Sequence, residues 1–179
     1  MRPVAIAATV TAAIAVTGAI TRPAVKLAWA DGIDLAPGVS VTPAPGWAVG
    51  NQGPGWVTLH NALSTAEMEI KVKPSNGTDP VAVLQGDISN LSNVSTTGLT
   101  NVRELGAPNP IALRGPNFQQ QATVSYSADG SAGSGPLPVQ GWFVELLNPN
   151  QSAFVVFAQN GDAPVRADGD AQAMLDSLQ

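Results

Sequence analysis

The sequence predicts an α+β fold: a mostly antiparallel sheet with helices on both faces (an α-β-α sandwich), preceded by one N-terminal transmembrane or signal helix. Three patterns lead to this expectation. Several segments alternate polar and apolar residues, as strands with one buried face do. Two segments space their apolar residues three and four apart, as amphipathic helices do. One uncharged apolar run opens the chain, close to the length that spans a membrane as a helix.

The N-terminal run extends from Val4 to Ile20 between Arg2 on one side and Arg22 and Lys26 on the other. It is 17 residues long, at the short edge of what crosses a hydrocarbon core of roughly 30 Å. We expect this run to be the membrane segment. Its largest apolar side chains are Val4, Ile6, Val10, Ile14, Val16 and Ile20.

Two interpretations of this segment remain open. The small-x-small sequence Ala28-Trp29-Ala30 fits a signal-peptide cleavage site before Asp31. The charges at Arg22 and Lys26 lengthen the spacer before that site, which favours an uncleaved anchor. Either way, residues 1–30 form a signal or anchor segment with an apolar core at 4–20, and residues 31–179 form an exported domain. We expect a single-pass protein of the cytoplasmic membrane with its C-terminal domain outside, or a secreted protein if the chain is cleaved after Ala30.

The exported domain is acidic and lacks cysteine. All 13 acidic residues lie after position 30, against 5 of the 8 basic ones, which gives this part a formal net charge of −8. Such a domain does not attract nucleic acid by charge. The absence of cysteine excludes disulfides, thiol catalysis and cysteine metal sites.

Strands with short turns are predicted in the first part of the domain. Val39–Val41 and Trp47–Val49 are brief apolar pieces among Pro and Gly residues, and Trp56–Asn61 is a longer strand. Glu67–Lys73 alternates polar and apolar residues throughout. Its apolar side chains are therefore expected to face a core, and its charged side chains to face water.

A helix is predicted to begin at Thr78-Asp79-Pro80, where a capping side chain precedes a proline in the first turn. The polar stretch 90–98 ends it. Its apolar face consists of Val81, Leu84, Ile88 and Leu91.

Four further strands and a closing helix complete the pattern. Phe154–Phe157 is continuously apolar, which indicates a central strand covered on both faces. The closing helix is predicted to begin at Ala163-Pro164. Its apolar stripe is Ala171, Met174, Leu175 and Leu178. The four strands are predicted at Val102–Leu105, Phe118–Ala128, Val139–Leu147 and Ser152–Ala158.

The start of the domain resembles a known family. Gly38-Val39-Ser40-Val41 followed by Pro45-Gly46-Trp47 is similar to the first strand and Pro-Gly-Trp turn of PsbP-like domains, which have the Mog/PsbP-type α-β-α sandwich. The helix end from Met174 to Leu178 also fits, and small mycobacterial cell-envelope proteins of the LpqN type look similar. The resemblance covers residues 32–179. It implies a non-catalytic accessory or binding domain and transfers no catalytic residues.

No catalytic set is evident in the sequence. His60 is the only histidine, and there is no G-x-S-x-G nucleophile motif. Glu67 and Glu69 share a strand face with Lys71 and Lys73, so mutually neutralised surface charges explain them. We therefore expect no enzymatic activity, no cofactor and no metal.

Three tryptophans are candidate contacts for a ligand or partner. Core filling is the ordinary role for such residues, and it is the favoured explanation for Trp56 and Trp142. Trp47 follows Pro-Gly in an exposed-looking turn, where it could line a groove for an apolar ligand, although core filling is the favoured explanation for it as well.

Three functions remain open from the sequence. The favoured one is a membrane-tethered accessory or binding domain outside the cytoplasmic membrane, with protein partners in a cell-envelope complex. The second is a carrier or sensor of a small apolar ligand such as a lipid, because an α-β sandwich can open a cavity between sheet and helix. The third, a secreted hydrolase, would need His60 as its base.

Overall fold

The computed structural model describes residues 32–132 and 135–178. The membrane segment at 4–20 and the cleavage site at Ala30 lie outside these residues, so both stay predictions. Among the described residues, no helix is long and apolar enough to span a bilayer.

Ten strands and three helices occur in the described part of the chain. The helices are α1 (Pro80–Ser89), α2 (Leu91–Val94) and α3 (Asp168–Asp176). The strands are β1 (Ile33–Ala36), β2 (Val39–Val41), β3 (Trp47–Gly53), β4 (Trp56–Asn61), β5 (Ala66–Pro74), β6 (Thr100–Arg103), β7 (Asn109–Ala112), β8 (Gln120–Ala132), β9 (Gly135–Leu147) and β10 (Gln151–Asn160).

One large sheet forms the body of the domain. Its strand order is β3-β4-β5-β10-β9-β8-β6, and β7 also pairs with β8. All of these pairings are antiparallel, which confirms the predicted antiparallel sheet and the α+β class. Strand β10 lies in the middle of the order, and Phe154–Phe157 is buried throughout, as its continuous apolar run predicts.

Helix α1 covers one face of the sheet. The Asp79 side chain accepts a hydrogen bond of 3.0 Å from the Val81 N–H, and Pro80 occupies the first turn, so the predicted helix start is confirmed. The buried face differs from the predicted one by a rotation about the helix axis. Leu84 is fully buried, but Val81 and Ile88 lie at the margins of the contact. The residues that face the sheet are Pro80, Val83, Leu84 and Asp87.

The opposite face of the sheet carries α3 and the β1–β2 hairpin. The predicted stripe of α3 is confirmed, because Ala171, Met174, Leu175 and Leu178 are all buried in the same core. The predicted start of this helix at Ala163-Pro164 is wrong, since α3 begins at Asp168.

Local hydrogen bonds explain the late start of α3. The Ala163 N–H bonds the Asn160 carbonyl at 3.1 Å, and the Asp162 N–H bonds the Asn160 side chain at 2.9 Å. These bonds close a turn after β10 instead of starting a helix. The Gln159 side chain then accepts a 2.7 Å hydrogen bond from the Ala167 N–H and holds the connection against the sheet.

The charged face of β5 is not open to water, contrary to the prediction. The chain after α2 crosses this face and encloses it. Glu69 is buried, and its carboxylate accepts hydrogen bonds of 2.8 Å from the Ser95 hydroxyl and from the Thr96 N–H. The Lys73 ammonium bonds the Asp87 carboxylate of α1. The charged face of β5 is therefore covered from Glu69 onward, where the alternation of the strand provides a second polar interface for α1 and the segment after α2, whereas Glu67 near its start stays half-buried.

Candidate functional site

The three tryptophans do not form one site. Trp47 is buried at 7% exposure, and its indole Nε1 donates a 3.1 Å hydrogen bond to Asp170 of α3. Its turn is closed by a 3.0 Å bond from the Trp47 N–H to the Ala44 carbonyl, which directs the indole into the core. The expectation of an exposed turn at Trp47 is therefore wrong. Trp56 and Trp142 are half-buried, and the Trp142 ring packs on Phe157 at 5.0 Å between centroids.

A groove of about 410 Å³ opens on the face that carries α1, beyond the end of α2. We name it the Glu67 groove. Strands β4 and β5 form one wall, the part of the β8–β9 hairpin near its turn forms the other, and the segment between α2 and β6 closes one side. The residues that characterise the groove are Thr58, His60, Glu67, Thr97, Leu99, Leu137, Val139, Ala158 and Asn160.

Small side chains at the centre of the sheet leave room for this groove. Across the strands, Tyr126 is in register with Gly141, Gly141 with Ala158, and Ala158 with Glu67. A Cβ at Gly141 would collide with the Phe157 carbonyl oxygen, which requires glycine there. The Tyr126 hydroxyl donates a 3.0 Å hydrogen bond to that same oxygen. Ala158 therefore gives the floor beside Glu67 only a methyl group, and Gly141, next in the same row, lies outside the lining of the groove.

The Glu67 carboxylate is the charged feature of the groove. Within the described residues it accepts no hydrogen bond and forms no ion pair. Burial raises its pKa above the usual value, the nearby Glu69 raises the pKa further, and His60, directly opposite on β4, lowers it. The described lining contains no lysine or arginine. The groove thus holds one half-buried carboxylate that faces His60 and has no lysine or arginine beside it in the described lining.

A second polar cluster is sealed under α1. Glu145 of β9 is fully buried, and neither of its carboxyl oxygens has a hydrogen-bond partner in the structure. The hydroxyl of Ser152 on β10 is buried and lacks a partner in the same way. Lys73 bonds both carboxylate oxygens of Asp87 next to them. Burial raises the pKa of Glu145 to about 8, and the neighbouring Asp87 adds to this shift while Lys73 opposes it.

The sequence contained a signal for this sealed cluster. Glu145 interrupts an otherwise apolar run between Phe143 and Leu147, and Asp87 lies three residues after Leu84 on the buried side of α1. A carboxylate in such a position is seldom buried without a partner. Within residues 32–132 and 135–178, however, no three histidine or acidic side chains come together in a way that could hold a metal ion.

An apolar cleft lies between α1 and the connection from β6 to β7. We name it the Leu105 cleft. Its volume is about 410 Å³, and Leu105 at its entrance is 49% exposed. Its lining residues are Leu84, Gln85, Ile88, Ser89, Leu105, Gly106, Pro108 and Val124.

No family model matches the chain, and no curated protein matches it. Among solved structures, the chain is similar to a protein from Bacteroides thetaiotaomicron VPI-5482, at 12% identity and a TM-score of 0.38. That match covers 82% of this chain and 47% of the other, so the chain spans about half the length of that protein.

The chain is also similar to the Ran-binding protein Mog1p of Saccharomyces cerevisiae, at 9% identity and a TM-score of 0.48, over 83% of this chain and 84% of that one. A point mutant of Mog1 matches at 9% identity and a TM-score of 0.47, over 82% and 83%. The structural neighbours thus include the Mog/PsbP-type fold that the sequence resemblance names. At these scores the likeness carries no argument about function, and the resemblance to LpqN-type proteins stays a prediction.

Proposed function

We propose that this chain is a non-catalytic binding domain, tethered to the outer side of the cytoplasmic membrane, that serves as an accessory part of a cell-envelope complex. The Glu67 groove is the observation that carries the binding role. It is a concave site that combines apolar walls with a few polar groups, as ligand sites usually do. The tether rests on the apolar run at 4–20.

The construction of the groove supports a binding role. Hydrogen bonds from Ser95 and Thr96 to Glu69 hold the segment that borders it, and the small side chain of Ala158 keeps its floor low. Glu67 has lost part of its hydration without gaining a partner, which costs free energy in the unbound protein. A ligand that supplies the missing partner would recover that cost, so the groove is complementary to something outside the domain.

The test isolates the full chain from its own membranes in mild detergent. It compares wild type with two variants in which an alanine is replaced by leucine. Ala158→Leu fills the groove, whereas Ala173→Leu adds the same volume on the exposed side of α3. We expect wild type and Ala173→Leu to retain a stoichiometric protein partner and Ala158→Leu to lose it. A monodisperse wild-type monomer without a partner would overturn the proposal.

The hydrolase alternative depends on His60. This side chain lies in the groove opposite Glu67. A substitution of His60 therefore tests whether it acts as a catalytic base. A His60→Ala protein that kept any hydrolytic activity measured for wild type would eliminate this alternative.

The Leu105 cleft favours a second candidate function, the carriage of a small apolar ligand. The cleft lies between a helix and the sheet, where the sandwich fold allows a cavity, and its lining is mainly apolar. Native mass spectrometry of the purified chain should detect a co-purifying apolar molecule, and Leu105→Asn should release it. Leu63→Asn is the matched control, since Leu63 is 67% exposed and does not line the cleft. A wild-type protein without any such molecule would end this candidate.

A further inference from the structure

We propose that the Glu67 groove recognises a primary ammonium group on a short apolar stem, as a lysine side chain or an alkylamine presents it. This inference rests on the proposed binding function and names the class of ligand. It follows from the charge, the walls and the floor of the groove.

The charge of the groove selects a cation. Glu67 contributes a carboxylate that has no hydrogen bond or ion pair within the described part of the chain. Glu69 adds negative potential on the same strand, although its own carboxylate is satisfied by Ser95 and Thr96. His60 is the only lining side chain that can become cationic. An anionic ligand would meet repulsion, whereas an ammonium group would supply the partner that Glu67 lacks.

The exported domain as a whole favours the same sign. Its formal net charge of −8 attracts cationic ligands and accelerates their approach. The sealed cluster under α1 does not offer an equivalent site, because Lys73 already occupies the cationic position beside Asp87. On this face of the sheet, the Glu67 carboxylate in the groove is therefore the one that a cation from outside the domain can bind.

The walls of the groove fit the stem of such a ligand. Leu99 borders one side, and Leu137 and Val139 of β9 form the other. The floor at Ala158 is low, which leaves space for a chain of methylene groups. Lysine and alkylamines combine an apolar stem with a charged tip, so they can contact these walls and Glu67 together.

The Glu67 carboxyl supplies an independent readout. A bound ammonium group stabilises the ionised carboxylate, so it should lower the pKa of Glu67 from its raised value. A neutral or anionic ligand in the same groove would not lower it. The direction of this shift separates recognition of the charge from simple filling of the cavity.

The experiment follows backbone and side-chain NMR signals of the full chain in mild detergent. Two ammonium probes are titrated: Nα-acetyl-lysine methylamide and hexylammonium. The controls are Nα-acetyl-norleucine methylamide, hexanol and hexanoate, which keep the stem and replace the charge. We expect the ammonium probes to shift groove amides such as those of Leu99 and Ala158, and to lower the Glu67 pKa. The Glu67→Gln variant should bind them at least tenfold more weakly.

Glu104→Gln is the matched variant, because Glu104 is exposed at the end of β6, outside the groove lining, and accepts a hydrogen bond from Ser127. It should bind the probes as wild type does. Stronger binding of the lysine probe would support a protein side chain as the source, and stronger binding of hexylammonium would support a free amine or lipid headgroup.

Three results would overturn the inference: no probe shifts the groove amides, the uncharged or anionic probes shift them equally, or Glu67→Gln binds the ammonium probes undiminished. These results leave the binding function intact if the Ala158→Leu variant still loses the native partner. If Ala158→Leu instead retains the native partner, the binding function is refuted, whatever the result with the probes.

Discussion

Glu145 and Glu67 point from the same face of one sheet, and their surroundings differ sharply. Glu145 lies under α1, fully buried, next to Asp87 and Lys73. Glu67 lies in an open groove, half-buried, without a cationic partner. The comparison shows that the strand alone does not decide how a carboxylate is used. The segments that cover each carboxylate determine its burial and its partners.

The residues beside each carboxylate explain which part of the face is covered. Phe154 stands directly across from Glu145, and its ring stacks with Phe143 at 6.0 Å between centroids. These rings give α1 an apolar surface on which to pack. Ala158 and Gly141 occupy the corresponding row beside Glu67. Apolar packing thus closes one end of this face, and small side chains leave the other end open.

Loss of the cation in the sealed cluster should have the largest effect. Lys73→Met leaves the buried Asp87 carboxylate without a partner beside Glu145, and we expect a loss of about 3–5 kcal/mol in the free energy of unfolding. Urea denaturation at neutral pH measures this. Lys71→Met is the control, because the Lys71 ammonium contacts only the Val94 carbonyl, at 3.5 Å. Equal losses in the two variants would show that the ion pair with Asp87 is not special.

The next largest effect should be a pH dependence of stability that comes mainly from Glu145. Glu145 titrates at about 8 in the folded protein against an ordinary 4.5, so the folded state binds more protons than the unfolded state between these values. The free energy of unfolding should therefore fall as pH rises from about 4.5 to about 8, at a limiting slope of about 1.4 kcal/mol per pH unit, and level off above.

Glu145→Gln should remove most of this fall and leave the smaller contribution of Glu67, because glutamine stays neutral at every pH. Denaturation curves of wild type and variant between pH 5 and 9 test it. An unchanged slope in the variant would mean that another group titrates.

Gly141, which lies next to the floor of the open groove, should tolerate no added methyl group. Gly141→Ala places a Cβ against the Phe157 carbonyl oxygen and 3.1 Å from the Tyr126 hydroxyl. We expect a loss of about 1–3 kcal/mol and displacement of Tyr126. Gly169→Ala, in the first turn of α3 with open space around its Cα, should be neutral or stabilising. Thermal unfolding of both variants measures the contrast, and a neutral Gly141→Ala would refute the account of the floor.

Glu67→Gln should change stability least, by less than about 1 kcal/mol, because water still reaches this side chain. The raised pKa of Glu67 gives the same sign as for Glu145: stability contributed at low pH is lost as pH rises above 4.5 through the folded pKa. A loss of stability comparable to that of Lys73→Met would show that Glu67 is structural and would end the contrast between the two regions.

Local patterns in the sequence were sufficient for most elements of the fold. Strand β4 occupies the predicted Trp56–Asn61, and the stripe of α3 is buried as expected. Strand β1 and strand β7 were missed, because each is only four residues long and neither shows a clear alternation. The short helix α2 was missed as well, because it is only four residues long and lies within the polar stretch 90–98.

The candidate site could not be predicted from the same patterns. The Glu67 groove depends on the small Ala158 lying beside Glu67, and only the register of β10 and β5 brings these two residues together. The fate of the β5 charges depends on where the segment after α2 crosses the strand, which Ser95 and Thr96 fix through Glu69. Both features depend on contacts between segments that are far apart in the sequence, so no pattern within one segment predicts them.

The hydrogen bond between Trp47 and Asp170 joins the beginning of the domain to its end. Strand β5 likewise lacks one of its two partners until β10 is synthesised, because it pairs only with β4 and β10 in the described sheet. During synthesis the first half of the domain therefore emerges with its central partner missing and an indole that has nowhere to pack. Native contacts of such large sequence separation form slowly. The domain should therefore complete its fold only after β10 and α3 have been synthesised.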